Sequence, residues 1–377
     1  MTRKIAAHYT LIDGQLRRNI IVSVDSNRQI TAIEECSTLD SSAGVEFYPG
    51  ILIPGMVNAH CHLELSYLHD TIAEKSGFAG FARAIGSVRN NYSLDERIHA
   101  ASVADSKMWA EGIEAVIDIA NDDLVMPVKN ASKIEYLTLF EVFGLTTKDV
   151  DIQQQMVDKW AMSSITPHST YSLQDNIFRS AVAANDSAIS LHLLESSAEI
   201  ELYQKQGPLW QWYERMGWEC NFLHYASPTN RIVESIPNNK RLILAHGCMA
   251  TEADVQRLNN HFTTPVAWVL CPESNRYISD IKPPVEMFRS VGAHLTIGTD
   301  SLASARSLSL LDNMRLIEGV ALDEMLTWAT KNGAEAIGLS TKLGTIEVGK
   351  TPGLVVIEQA DLHNLRLTPE SITRRIL

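Results

Sequence analysis

His60 and His62 stand two residues apart at the end of an apolar run, residues 51–57, broken only by Pro54-Gly55. Side chains alternate faces along a strand, so positions i and i+2 point the same way. Two imidazoles side by side at a strand's carboxyl end can share one metal ion. Taken alone, the pair reads equally well as two half-buried histidines. Deciding between these readings takes further donors, each closing a strand of its own. Candidates follow in order along the chain: Asp118, Glu141, His168, His192 with Glu195, His246, Asn275 and Asp300.

The elements that would carry them are eight short β-branched or aliphatic runs, each closed by a polar residue. They span residues 56–62, 114–120, 134–144, 163–169, 188–195, 241–247, 265–275 and 293–301. Stretches of helical periodicity lie between most of them, for example residues 94–109 and 252–259. Continuous apolar strands alternating with helices imply parallel βα units. Eight such units over residues 54–342 match the size of a (β/α)8 TIM barrel, which places chemistry at the carboxyl ends of its strands. Reactive residue types at nearly every strand end are hard to explain as packing.

A chain of 377 residues with 45% hydrophobic content buries a large core and exceeds one average domain. A net charge of −13, spread along the chain, argues against nucleic acid or an anionic membrane as partner. The expected partner is a small-molecule substrate, and assembly into a homo-oligomer stays open. The five cysteines form no CxxC pair and no disulfide-framework spacing, so a reducing cytoplasm is expected. Residues 1–9 lack the apolar core of a secretion signal, and no apolar run is long enough to span a membrane.

Both ends of the chain read as short strands. Residues 6–12, 19–25, 29–34 and 45–53 alternate and are broken by Asp13-Gly14 and Ser26-Asn27; residues 344–350 and 353–358 look hairpin-like. An isolated hairpin is marginal. The expectation is therefore one composite β-sandwich domain built from residues 1–53 plus 343–377, flanking a barrel over residues 54–342.

Six motifs in order resemble the metal-dependent amidohydrolase superfamily, in its chlorohydrolase-like and S-adenosylhomocysteine–aminofutalosine deaminase branch. They are Pro54-Gly55-Met56-Val57-Asn58-Ala59-His60-Cys61-His62-Leu63-Glu64-Leu65-Ser66, Pro167-His168-Ser169-Thr170-Tyr171-Ser172, His192-Leu193-Leu194-Glu195, Ala245-His246-Gly247, Cys271-Pro272-Glu273-Ser274-Asn275 and Gly298-Thr299-Asp300-Ser301. The resemblance covers nearly the whole chain. It departs at Leu270, where many relatives carry histidine. The wording of the first and fifth motifs is most similar to the aminofutalosine-deaminase-like group.

The resemblance implies His60, His62, His192 and Asp300 as ligands of a divalent metal, Zn2+ first and Fe2+ as the alternative. Neutral nitrogen donors with one hard carboxylate suit either ion and leave a position for water. It makes Glu195, His246 and Asp300 the catalytic groups: proton shuttle, steadying contact to the attacking oxygen, and acceptor of the water proton. Glu195 lies three residues past His192, so the strand must end or turn there for both to reach one pocket. Asp300 equally suits a helix cap, although Ser301 is the better candidate for that. His168, Glu64, Asn275 and Ser304 are candidates for substrate binding, with packing a rival for His168. Arg83 reads as a solvated helix arginine. Trp210, Trp212 and Trp218 suit base stacking or plain packing.

Two-metal members bridge their ions with a carboxylated lysine at the third or fourth strand end, and here residues 139–144 and 165–168 hold none. The resemblance then implies one metal per chain and hydrolytic deamination of an amino-heterocycle, an adenosine-like nucleoside such as 6-aminodeoxyfutalosine. Release of another leaving group, as by chlorohydrolase- or guanidine-type enzymes, cyclic-amide hydrolysis and a non-catalytic metal scaffold are the alternatives.

Overall fold

The computed structural model describes residues 2–36 and 44–377. Five strands come first: β1 (Arg3–Ile12), β2 (Gln15–Arg17), β3 (Ile20–Val24), β4 (Ile30–Glu35) and β5 (Val45–Pro54). Eight more follow with helices between them: β6 (Met56–Cys61), β7 (Ile113–Ala120), β8 (Glu135–Val142), β9 (Ser163–Pro167), β10 (Ala188–Leu193), β11 (Arg241–His246), β12 (Ala267–Leu270) and β13 (His294–Ile297). The last two are β14 (Leu354–Glu358) and β15 (Ile372–Arg375).

Strands β6 to β9 form one four-stranded parallel sheet and β10 to β13 another. Their free edges meet at two single parallel bridges, Ser169 with His192 and Cys61 with Asp300. There the His192 N–H donates to the His168 carbonyl at 2.9 Å, and the Thr299 and Asp300 N–H groups donate to the His60 carbonyl at 3.0 Å. The eight strands thereby run round a ring, which is the barrel expected from the sequence. Strands β6, β7 and β10 are buried at every residue, because helices cover their outer faces while their own side chains fill the centre. Helices start where their caps dictate: Ser93 and Glu96 form a capping box before Leu94–Ala110, as Thr251 and Asp254 do before Glu252–His261.

Strands from both ends of the chain share one seven-stranded sheet, in the order β15-β14-β5-β1-β3-β4 with β2 on β1. The hairpin at the carboxyl end differs from the one expected. Strand β14 pairs antiparallel with β15, whereas residues 344–350 form no strand but a bend and a turn. Gly344 and Gly349 there adopt φ of 86° and 92°, which breaks the strand, while Ile346 inserts into the apolar core between β1, β3 and β14. The sheet is tied to the barrel where β7 begins: Arg375 pairs with Glu114 and lies over the Trp109 ring.

Candidate metal centre and active-site cavity

Each site residue sits where a strand ends, and three of these ends share a backbone device. Leu194, His246 and Asp300 all have positive φ, at 52°, 74° and 59°. Left-handed backbone at a residue other than glycine is costly and turns the chain sharply. After His192 this turn brings Glu195 to the same side, so the odd spacing is resolved as the sequence required. Gly298 contributes by its smallness: a Cβ there would stand 2.9 Å from the His60 backbone nitrogen, where β13 closes on β6.

His60, His62, His192 and Asp300 place one donor atom each within 4.8 Å of one another, and all four are buried. Asp300 Oδ1 lies 3.9 Å from His60 Nε2 and 3.5 Å from His62 Nε2. Its other oxygen is held by two hydroxyls, Ser274 donating at 2.6 Å and Ser304 at 2.8 Å. His192 Nδ1–H donates to the His168 carbonyl at 3.2 Å, which leaves the Nε2 lone pair facing His62 Nε2 at 3.3 Å. Both ring nitrogens of His60 and Nδ1 of His62 are buried without a partner.

Burial, reinforced by the neighbouring imidazoles, drives these rings toward the neutral form. His192 falls to about 4 and His60 well below its usual value. For His62, burial outweighs the opposing pull of Asp300 and lowers it to about 3. Burial pushes the Asp300 carboxyl up, but His62, His246, His192 and the Ser274 hydroxyl together hold it below the ordinary range. Unprotonated nitrogens beside a carboxylate, buried and lacking hydrogen-bond partners, fit a divalent cation.

Above the four donors opens a cavity of about 370 Å³. Glu195 lines it with an 11% exposed side chain, its Oε2 4.0 Å from His246 Nε2. Burial pushes Glu195 up to about 7, so its neutral form persists near neutral pH. His246 Nδ1–H donates to Asn275 Oδ1 at 2.8 Å, leaving Nε2 with a lone pair toward the cavity.

Of the candidates for substrate binding, His168 lines the cavity, stacked on His192 with ring centroids 4.5 Å apart. Glu64, Asn275 and Ser304 lie behind the wall. Glu64 sits in the short 3-10 helix Leu63–Leu68 and accepts hydrogen bonds from the backbone N–H and Nδ2 of Asn121, at 2.9 and 2.8 Å. Asn275 orients His246, and Ser304 holds Asp300. Asp118 is also outside the cavity, paired with the buried Lys129 and accepting the Leu63 N–H at 2.8 Å. Ser301 lines the cavity instead of capping a helix, because the next helix begins only at Leu310.

Trp212 and Trp218 line the cavity, whereas Trp210 packs in the local core beside them. Arg83 is exposed on helix Phe78–Val88. Among the lining residues that the sequence did not single out are two with polar or charged side chains, Asn121 and Arg89. Arg89 was findable: residues 78, 81, 82, 85, 86 and 89 repeat at helical spacing. Asn121 carries no comparable signal, since it lies one residue past the end of β7.

A parallel barrel that gathers three neutral histidines and an aspartate on its carboxyl rim defines a metal-dependent hydrolase. A profile described as the Amidohydrolase family matches residues 51–373, and the chain belongs to that family. It is 26% identical over 332 residues to an adenosine deaminase of Helicobacter pylori (strain ATCC 700392 / 26695), covering 82% of this chain and 79% of that protein. It is 25% identical over 387 residues to a 5-methylthioadenosine/S-adenosylhomocysteine deaminase of Haloarcula marismortui, covering 94% and 82%. The crystal structure of Helicobacter pylori aminofutalosine deaminase in complex with methylthio-coformycin shares the fold, with a TM-score of 0.83 at 22% identity and 100% coverage of both chains.

Proposed function

We propose that the protein is a hydrolytic deaminase of an adenosine-like nucleoside, releasing ammonia, with 6-aminodeoxyfutalosine the specific substrate to test first. The observation that carries this reading is the placement of buried Glu195, its carboxyl raised to about 7, and the unpartnered His246 Nε2 at the cavity wall, directly beside the His60, His62, His192 and Asp300 group. The names of the two deaminase relatives support it, as does the aminofutalosine-deaminase-like wording of the motifs.

One Zn2+ ion held by His60, His62, His192 and Asp300 would supply Lewis-acid activation of water at neutral pH. Asp300 accepts the water proton through Oδ1, while Ser274 and Ser304 keep its other oxygen fixed. His246 Nε2 accepts a hydrogen bond from the attacking water and steadies its oxygen. Glu195, in the protonated form that its burial favours, delivers its proton to the ring nitrogen beside the carbon that bears the exocyclic amine. That carbon becomes more electrophilic and the C–O bond forms; Asp300 then passes the water proton to the amine, the C–N bond breaks to release ammonia, and the remaining hydroxyl proton returns to Glu195. Each positioned proton-transfer group contributes about 10²–10⁴-fold.

The test is ammonia release from metal-replete protein offered a panel of adenine nucleosides including 6-aminodeoxyfutalosine. Chloride or alkylamine release from triazines, with no ammonia from any nucleoside, would transfer the assignment to a chlorohydrolase-type reaction.

A further inference from the structure

Asp118 and Lys129 form a charged pair inside the protein, with side chains 0% and 1% exposed. Asp118 stands on β7 level with Cys61 of β6, and Lys129 reaches it from the short helix Met126–Ala131. Asp118 Oδ1 accepts the Leu63 N–H at 2.8 Å, while its other oxygen faces the Lys129 ammonium. Lys129 Nζ also donates to the Thr138 hydroxyl on β8 at 3.2 Å. Neither residue lines the active-site cavity. A buried ion pair adds little net stability over apolar side chains of similar volume, so stability alone does not account for this one.

His62 shows what the pair holds. Among the described residues nothing bonds His62 Nδ1, whereas His192 Nδ1–H is fixed by the His168 carbonyl. A metal-ligating histidine ordinarily gives its second ring nitrogen to an outer partner that sets the orientation of the ring. For His62 that duty falls to the backbone. Its own N–H donates to the Asp300 carbonyl at 3.2 Å, and the next N–H, that of Leu63, is the one Asp118 accepts. These two bonds fix the peptide planes on either side of the His62 Cα, and thereby the direction of its Cα–Cβ bond. The dihedrals between them, φ −123° and ψ 78°, belong to neither a regular strand nor a helix.

We propose that Asp118, held by Lys129, is a positioning residue for the metal centre: by fixing the Leu63 N–H it aims the His62 ring and so sets the geometry of the four donors. The inference rests on the reading of His60, His62, His192 and Asp300 as a metal centre and is independent of which nucleoside is the substrate. The Lys129 ammonium and the Thr138 hydroxyl fix where the carboxylate stands, so the turn after His62 is tied to β7, β8 and the helix Met126–Ala131 together.

The experiment separates the acceptor from the charges with two double variants of the full chain. Asp118→Asn/Lys129→Gln removes both charges but keeps an oxygen for Leu63 and lets the two amides and Thr138 bond in turn. Asp118→Ala/Lys129→Met removes the charges and the acceptor together. Zn2+ dissociation constants of the metal-stripped proteins are measured by chelator competition, and their thermal midpoints check folding. The Asn/Gln pair should bind Zn2+ like wild type, whereas the Ala/Met pair should bind about 10- to 100-fold more weakly. The visible absorption of the Co2+-loaded proteins should shift in the Ala/Met pair alone. Parent-like Zn2+ binding by the Ala/Met pair, or equal weakening in both pairs, overturns the proposal. Wild type that binds no Zn2+ defeats the metal reading itself, and the proposal falls with it. Should the Ala/Met pair fail to fold, amide exchange decides: the Leu63 N–H of metal-free wild type should be protected, because the bond precedes the ion, and rapid exchange there overturns the proposal.

Discussion

Glu199 accepts the backbone N–H of Leu194 at 2.5 Å, and this bond fixes the left-handed turn between His192 and Glu195. Its other oxygen accepts the Thr170 hydroxyl at 2.7 Å, and the Thr170 carbonyl is held by Arg231 at 2.7 Å and the Tyr203 hydroxyl at 2.7 Å. Glu199 is buried, which pushes it up to about 8. It touches neither the metal donors nor the cavity, so it acts through Leu194 as a positioning residue.

Replacing Glu199 by Ala removes the acceptor while leaving His60, His62, His192 and Asp300 in place. Turnover should fall by about 10- to 10²-fold, the scale of a displacement near 1 Å at a catalytic group. Metal content should stay at the parent value, and Glu199→Gln, which still offers an oxygen to Leu194, should recover part of the rate. Parent-like turnover in Glu199→Ala would show that the turn holds without it.

The barrel was legible because short continuous apolar runs closed by polar residues do not depend on distant contacts. Each of the eight runs contains or overlaps one of β6 to β13, with the overrun mostly at the carboxyl end, where motif residues such as Asn275 already belong to the next helix. Other features were set by tertiary contacts. Glu64 turns away from the cavity because the 3-10 helix after His62 aims it at Asn121. Residues 344–350 have strand composition, yet Gly349 N–H and the Lys350 carbonyl bond Ile30 as part of a turn. Arg83 and Arg89 differ only in helical phase, a pattern that appears once the helix itself is granted.

Metal stoichiometry should be one ion per chain. A second group, Glu141, His168 and His192, shares His192 with the first. His192 Nδ1–H is committed to the His168 carbonyl, so one nitrogen remains for a single ion. Elemental analysis of metal-replete protein finding two tightly held ions would refute this.

The pH dependence follows from Glu195. Its carboxyl is raised by burial to about 7, so the proton-donating form is present below that pH and lost above it. The kcat/KM profile should therefore fall on the alkaline side of about pH 7, approaching about tenfold per pH unit. A profile that keeps rising to pH 9 would contradict an acid role for Glu195.

Residues 1–53 and 343–377 are proposed to behave as one unit, since β14 pairs with β5 from Leu354–Pro54 to Ile357–Ile51. Amide hydrogen exchange should give β5 and β14 a common opening free energy, distinct from that of β6 to β13. Exchange of β14 at a rate independent of β5 would count against a composite unit.

Glu195 and His192 provide the sharpest contrast, because they are three residues apart and carry different proposed duties. Glu195→Gln keeps the shape and hydrogen-bonding capacity of the side chain but cannot donate and accept a proton in turn. Metal content should be unchanged, since Glu195 is not in the donor group. Turnover should fall by at least ~10²-fold, the lower end for losing a positioned general acid. His192→Ala removes one of the four donors, so metal and activity should disappear together. Measuring bound metal and turnover on both variants separates the two duties. A Glu195→Gln protein that turns over at the parent rate, or one that loses its metal, would reverse the assignment of the site.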